Sequence, residues 1–118
     1  MPPDEQPREQ IRVLLVDYHE MMRESIARLL SDRHDMVVVG LAGTGVEAIA
    51  LAAEQTPDVV VVDYMLPDMN GIDVVRQLTK ARPDIRTVLL TGSANTQELV
   101  TAAIYAGCST IVEKTRAV

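Results

Sequence analysis

Short runs of aliphatic and β-branched residues alternate along the chain with longer stretches in which apolar residues recur every three or four positions. The five short runs have the composition of β-strands, and they are Ile11–Val16, Met36–Leu41, Val59–Val62, Thr87–Leu90 and Thr110–Val112. A stretch with helical spacing follows each of the first four runs. The pattern therefore predicts five strands that alternate with four helices.

Apolar stripes mark the faces that the predicted helices would bury. The stripes are Met22, Ile26, Leu29 and Leu30 in the first helix, Val46, Ile49, Ala50 and Ala53 in the second, Val74, Val75 and Leu78 in the third, and Leu99, Ala103 and Ala106 in the fourth. Pro57, Pro83 and Gly107 follow the last three stretches, where such residues commonly end helices. We expect each helix to pack its stripe against a sheet.

The strand runs are apolar at nearly every position, which is typical of parallel strands that helices cover on both faces. The sequence therefore predicts an α/β fold, a doubly wound five-stranded parallel sheet of the flavodoxin-like order 2-1-3-4-5. After the fifth run only residues 114–118 remain, too few for a helix that would close one face of the sheet. Either another molecule covers that face, or residues 11–118 are one domain of a longer protein; we favour the second interpretation.

Composition narrows the function classes. A chain of 118 residues, of which 47% are hydrophobic, is long enough for one core, and its net charge of −6 argues against a nucleic-acid-binding surface. No apolar run approaches the ~20 residues of a membrane span. Because Cys108 is the only cysteine, no intramolecular disulfide can form, and a reducing cytoplasm is the expected setting. Residues 1–10 are polar and Pro-rich, and we expect them to be a disordered leader.

Polar residues stand at the carboxyl ends of the predicted strands. Ligands bind at this edge of open parallel sheets, beside the point where the strand order reverses. Asp17 and Asp63 end the first and third strands, Thr91 the fourth and Lys114 the fifth. The order 2-1-3-4-5 brings Asp17 beside Asp63. Paired carboxylates with few other ligands favour Mg²⁺, which also binds phosphate oxygens, so the pattern indicates phosphoryl chemistry.

Five segments, in this order and spacing, resemble the receiver domains of two-component response regulators. They are VLLVDYHEMMRESIARLL, VVGLAGTGVEAIALA, PDVVVVDYMLPDMNG, VLLTGSA and AGCSTIVEK. The third is the most specific, because Pro67 and Gly71 follow Asp63 at the spacing found in that family. The segment VDYHEMMRESIARLL is most similar to regulators of the NarL/FixJ (LuxR) type, in which a helix-turn-helix DNA-binding domain follows the receiver.

The resemblance implies a site and a mechanism. Asp63 would be the phosphoacceptor, and Mg²⁺ would be held by Asp17, Asp63 and the backbone carbonyl of Met65. Lys114 and Thr91 would contact the phosphoryl oxygens, and movement of Thr91 would change a partner-binding surface.

The resemblance also implies partners. They are a sensor histidine kinase, a second copy of the chain that forms a homodimer through the fourth helix and fifth strand, and DNA only through a C-terminal domain outside this chain. It implies no membrane contact, and no enzyme activity beyond phosphorylation and dephosphorylation of the domain itself.

Two positions depart from the family pattern. The family carries a second acid after Asp17 that contacts the metal directly, and Tyr18 stands there instead. A neutral phenol is a poor Mg²⁺ ligand, so magnesium affinity is predicted to be low. Ile111 replaces an aromatic switch residue. An atypical receiver that works without phosphorylation, as an interaction module, is therefore the alternative hypothesis.

Two other features have simpler interpretations. The segment from Gly43 to Ala48 matches the dinucleotide fingerprint G-x-G-x-x-A, which would indicate a small nucleotide-binding enzyme. It follows the second strand of a domain too short for a dinucleotide, so we expect no such function. His19 and His34 have no other kind of metal ligand spaced near them, and both are predicted to be surface histidines.

Overall fold

The structure, a computed structural model, describes residues 9–92 and 96–114. Strands and helices alternate along it as β1 (Ile11–Val16), α1 (Glu20–Ser31), β2 (Met36–Ala42), α2 (Gly45–Gln55), β3 (Val59–Asp63), α3 (Gly71–Ala81), β4 (Arg86–Thr91), α4 (Gln97–Ala106) and β5 (Thr110–Glu113). Of the predicted leader, residues 1–8 lie outside the described residues. Gln10 is described, and its side chain donates a hydrogen bond to the carbonyl oxygen of His34.

The five strands form one parallel sheet in the order β2-β1-β3-β4-β5. This confirms the predicted fold and strand order. β1 therefore lies between β2 and β3, and its last residue, Val16, pairs with Val62 one position before the end of β3. The order reverses at this β1–β3 neighbour pair, which places the carboxyl ends of both strands side by side.

Helices cover the sheet unequally. Leu14, Val16, Val60, Val62 and Leu89 join one apolar core with residues of α2, α3 and α4. Alternate residues of a strand point to opposite faces, so Val13 and Leu15 point to the other face, where α1 contacts β1 and β2. None of the four described helices combines the length and the apolar character that crossing a bilayer requires.

The predicted strand bounds are right to within one residue at each end. β2, β3, β4 and β5 each extend one residue further than predicted, and β4 also begins one residue earlier. The added terminal residues Asp63 and Thr91 are polar, so hydrophobic patterning could not assign them to strands. Hydrogen bonding carries the strands to these residues, and it therefore fixes where their side chains lie.

The helix stripes are predicted less evenly. The third is fully buried, and Ala103 and Ala106 of the fourth are buried with Leu99 half-buried. The second stripe is largely wrong, because α2 buries Ala48 and Ala52 while Val46 is 63% exposed. Apolar residues occupy nearly every position of α2, so spacing alone does not select a face, and the small alanines allow the closest approach to the sheet.

The first stripe is only half-buried. α1 has no buried residue, and Leu29, which we predicted to face the sheet, is 57% exposed. The physical reason is that α1 lies on the face that α2, α3 and α4 do not cover. Its side chains consequently lose less solvent contact than those of a helix packed between two neighbours.

Candidate functional site

Asp17 and Asp63 meet at the reversal of strand order, as predicted. Asp17 follows β1 directly and is 2% exposed, while Asp63 ends β3 and is 1% exposed. The loop after β3 turns back at once, because the backbone N–H of Met65 donates to Asp63 Oδ1 at 3.2 Å. Two buried carboxylates therefore share one edge of the sheet.

Lys114 supplies the cation that these carboxylates require. It follows β5 and extends across the sheet edge, so that its Nζ lies 2.8 Å from Asp63 Oδ2 and 3.2 Å from Asp17 Oδ2. Burial alone would lower the pKa of Lys114, but the hydrogen bond to Asp63 and the nearby Asp17 carboxylate outweigh it and raise the pKa. The ammonium thus stays charged.

Asp63 differs from an ordinary surface carboxyl. Burial raises its pKa, the negative charge of Asp17 adds to that effect, and the hydrogen bonds from Lys114 and the Met65 amide only partly oppose it. A carboxylate that is buried, close to a second carboxylate and held by one ammonium is poised to exchange its contacts for a cation or a phosphoryl group.

His19 belongs to the site, although we predicted an ordinary surface histidine. Its backbone N–H donates to Asp17 Oδ1 at 2.9 Å, and its ring Nδ1 lies 3.3 Å from the same oxygen. The side chain is 66% exposed, so the expected exposure is right and the expected isolation is wrong. Sequence spacing does not predict this contact, because His19 is only two residues from Asp17 and the conformation of the turn between them determines where the ring points.

The remaining predicted residues occupy different places around the carboxylates. Thr91 is buried at the carboxyl end of β4, and Met65 follows Asp63 in the loop with its side chain exposed. Tyr18 is 59% exposed, and its ring meets that of His19 edge-on with centroids 5.9 Å apart. Ile111 is half-buried against the apolar core.

Of the predicted site residues, Asp17, Asp63 and Lys114 are in direct contact with one another through the Lys114 ammonium.

Asp68 occupies the position where the dinucleotide fingerprint would hold a phosphate. Its Oδ1 accepts a hydrogen bond from the Gly45 N–H at 2.8 Å and its Oδ2 one from the Val46 N–H at 2.9 Å. A Cβ on Gly45 would lie 2.5 Å from Met69 Cγ, so a side chain at this position would require Met69 to move. The start of α2 is therefore neutralised by a carboxylate from within the chain.

We predict that Asp68→Asn lowers stability at neutral pH and that this loss becomes smaller as the pH falls into the acid range. The two backbone amides lower the pKa of Asp68, so its contribution is present above the ordinary Asp pKa of about 3.9 and is lost as the pH falls through the lowered value. Chemical unfolding of both proteins at neutral pH and at about pH 3 measures the difference.

Asp84→Asn is the matched control, because it removes another exposed aspartate from a loop. It should change stability little at either pH. An Asp68→Asn deficit that persists unchanged in acid would contradict the amide-binding role.

Comparison with known proteins identifies a family. The response regulator receiver domain matches residues 13–117. The DNA-binding transcriptional activator DevR/DosR of Mycobacterium tuberculosis is 42% identical over 104 residues, which cover 88% of this chain and 48% of that protein. Response regulator protein VraR of Staphylococcus aureus is 40% identical over 105 residues, 89% of this chain and 50% of that protein. The chain spans about half the length of these curated relatives.

Solved structures agree with this assignment. A two-component response regulator of the LuxR family from Aurantimonas has a TM-score of 0.84 and 34% identity, covering 91% of this chain and 76% of that one. The signal receiver domain of the response regulator NarL from Mycobacterium tuberculosis also has a TM-score of 0.84, with 30% identity over 90% of this chain and 85% of that one. The chain therefore belongs to the response regulator receiver domains of two-component systems, and its relatives are of the NarL/LuxR type.

Proposed function

We propose that this domain accepts a phosphoryl group on Asp63 from a sensor histidine kinase and transmits the change to a partner surface. The observation that carries the proposal is the contact of Lys114 Nζ with Asp63 Oδ2 at 2.8 Å, inside a buried pair of carboxylates. An Asp63 oxygen would form the new P–O bond, while the bond from phosphorus to the kinase histidine nitrogen breaks and that imidazole takes up a proton. Lys114 would then contact a phosphoryl oxygen.

The residues present fit a divalent cation. Asp17 and Asp63 offer buried carboxylate oxygens, the ligands that Mg²⁺ prefers. These carboxylates already attract one positive charge, the ammonium of Lys114. Asp17, Asp63 and the backbone carbonyl of Met65 would hold the ion. Bound there, the cation supplies charge neutralisation for the transferring phosphoryl group.

Thr91 would donate a hydrogen bond to a phosphoryl oxygen and so couple the modified site to the start of α4. It is buried at the end of β4, and in the sheet it pairs with Glu113, the neighbour of Lys114. A change at Asp63 would thereby reach the α4–β5 surface, where we propose that a second copy of the chain docks. DNA binding would belong to a further domain, in keeping with the relative DevR/DosR, which is named a DNA-binding transcriptional activator.

Tyr18 favours a second candidate, an atypical receiver that acts as an interaction module without phosphorylation. Tyr18 is 59% exposed and carries a phenol where the family has an acid, so it offers no carboxylate to a magnesium ion. Half-buried Ile111 also lacks the ring that an aromatic switch would reorient. Both features make phosphorylation less effective as a switch, and neither changes the surfaces through which the domain would bind a partner.

The test is the intact mass of the protein after incubation with acetyl phosphate, with and without Mg²⁺. We expect a magnesium-dependent phosphoryl adduct that is lost in Asp63→Asn and kept in Asp84→Asn, which removes an exposed aspartate elsewhere. An adduct in all three proteins would place the modification on another residue. A folded wild-type protein without any adduct would favour the atypical receiver.

A further inference from the structure

We propose that His19 is a direct ligand of the cation at this site and that the site prefers zinc-class divalent ions over Mg²⁺. Asp17, His19 and Asp63 each place one possible ligand atom within 4.8 Å of the other two. Imidazole nitrogen suits borderline ions such as Zn²⁺, whereas Mg²⁺ prefers oxygen ligands alone. The proposal concerns the same site as the proposed function, but it depends only on cation binding.

The ring of His19 is placed for coordination. His19 stands at the start of α1, yet its side chain makes no capping hydrogen bond to the helix. The ring instead turns toward Asp17 and lies 3.3 Å from Oδ1 through Nδ1. Zinc-class ions hold nitrogen and oxygen ligands at about 2.0–2.2 Å, which puts adjacent ligands roughly 3.0–3.5 Å apart. Small side-chain rotations would therefore admit an ion between them.

Two neighbours fix this orientation. The N–H of His19 donates to Asp17 Oδ1 at 2.9 Å, and Arg23 Nη1 donates to the Asp17 backbone carbonyl oxygen at 2.8 Å, so hydrogen bonds hold both the side chain and the backbone of Asp17 at this turn. Tyr18 lies edge-on to the imidazole. Tyr18, His19, Met65, Leu66 and Pro67 also line an open cleft of about 320 Å³, so the His19 ring faces open space.

Asp17 shows that the site carries more negative than positive charge. Its Oδ2 is buried and accepts no well-formed hydrogen bond from the described residues, but it pairs with Lys114 Nζ at 3.2 Å. The same ammonium lies closer to Asp63 Oδ2, at 2.8 Å. One ammonium therefore serves two buried carboxylates, which leaves negative charge at the site for a cation to neutralise.

Calorimetric titration of the folded protein with Zn²⁺ and, separately, with Mg²⁺ tests the proposal. We expect Zn²⁺ to bind at least about ten-fold more tightly than Mg²⁺. His19→Ala should weaken zinc binding by about ten-fold or more, since loss even of a residue that only supports a ligand costs this much. Magnesium affinity should change little in this variant.

His34→Ala is the matched control, because it removes an exposed histidine from the turn before β2, far from Asp17 in the sequence. Wild-type zinc affinity in this variant, together with loss of zinc binding in Asp17→Asn, would support the site. Equal losses in the two histidine variants, or none in His19→Ala, would overturn the role of His19.

A spectroscopic readout separates coordination from a structural effect. Zn²⁺ should shift the ¹⁵N resonance of the ligating His19 nitrogen and leave His34 unmoved. Tyr18→Asp should restore magnesium affinity and reduce the preference for Zn²⁺, because it adds an oxygen ligand. A folded Tyr18→Asp protein with unchanged magnesium affinity would contradict the account of that position. Failure of phosphorylation would leave each of these results unaffected.

Discussion

Replacing Lys114 by Met is expected to lower the free energy of unfolding by about 3 kcal/mol, because two buried carboxylates lose the cation between them. The Lys114 side chain is 15% exposed and contacts both Asp63 and Asp17. Methionine keeps much of the aliphatic stem, so the loss reports on charge more than on packing. Urea unfolding followed by circular dichroism at neutral pH measures the change.

Lys80→Met is the control for removing a lysine as such. Lys80 is exposed in the last turn of α3, and its replacement should change stability by no more than about 0.5 kcal/mol. A Lys114→Met protein as stable as Lys80→Met would show that the two carboxylates do not depend on this ammonium.

Asp63→Asn separates the effect of charge from that of shape. Since burial raises the pKa of Asp63, the ionised form is disfavoured in the folded state, and its cost appears as the pH rises through that raised pKa. Asp63→Asn should therefore be more stable than wild type at neutral pH. When Asp63→Asn is already present, Lys114→Met should cost less stability than in wild type, and strictly additive effects of the two substitutions would contradict the coupling.

The sequence predicted the carboxylate site because strand order alone brings its members together. Asp17 follows β1 directly and Asp63 ends the neighbouring parallel strand β3, so any sheet of this order places them side by side. Lys114 follows an edge strand two positions from β3, and only its long side chain reaches Asp63. Its place in the sequence predicted the correct edge of the sheet, but the contact distance required the structure.

Residues placed by loop geometry were not predicted. His19 reaches Asp17 through a turn, and Asp68 reaches the amides of Gly45 and Val46 across a gap of more than twenty residues. Neither contact follows from strand or helix periodicity, because both depend on local backbone angles. In α2 the failure has a different cause: alternating alanine and larger apolar residues give two possible faces, and packing selects Ala48 and Ala52.

Gly71→Ala is expected to destabilise the domain by about 3 kcal/mol, at the upper end of the cost of overpacking a core. A Cβ at Gly71 would overlap the carbonyl oxygen of Asp63 and lie 2.9 Å from the Cα of Tyr64. These neighbours are backbone atoms and cannot rotate away. The Gly71 N–H also donates to the Tyr64 carbonyl at 2.7 Å, so α3 and the end of β3 are held together at this point.

Gly92→Ala is the matched control, since among the described residues other than Gly92 and its chain neighbours no atom lies within 4 Å of the position its Cβ would take. It should be neutral or stabilising by up to about 1 kcal/mol, through the reduced freedom of the unfolded chain. Thermal and urea unfolding of both variants measure the contrast. Because the overlap falls on the backbone of Asp63, Gly71→Ala protein that remains folded should also lose phosphoryl adduct formation, whereas Gly92→Ala should keep it. A stable Gly71→Ala protein with a normal adduct would show that the approach of α3 to β3 does not position the acceptor.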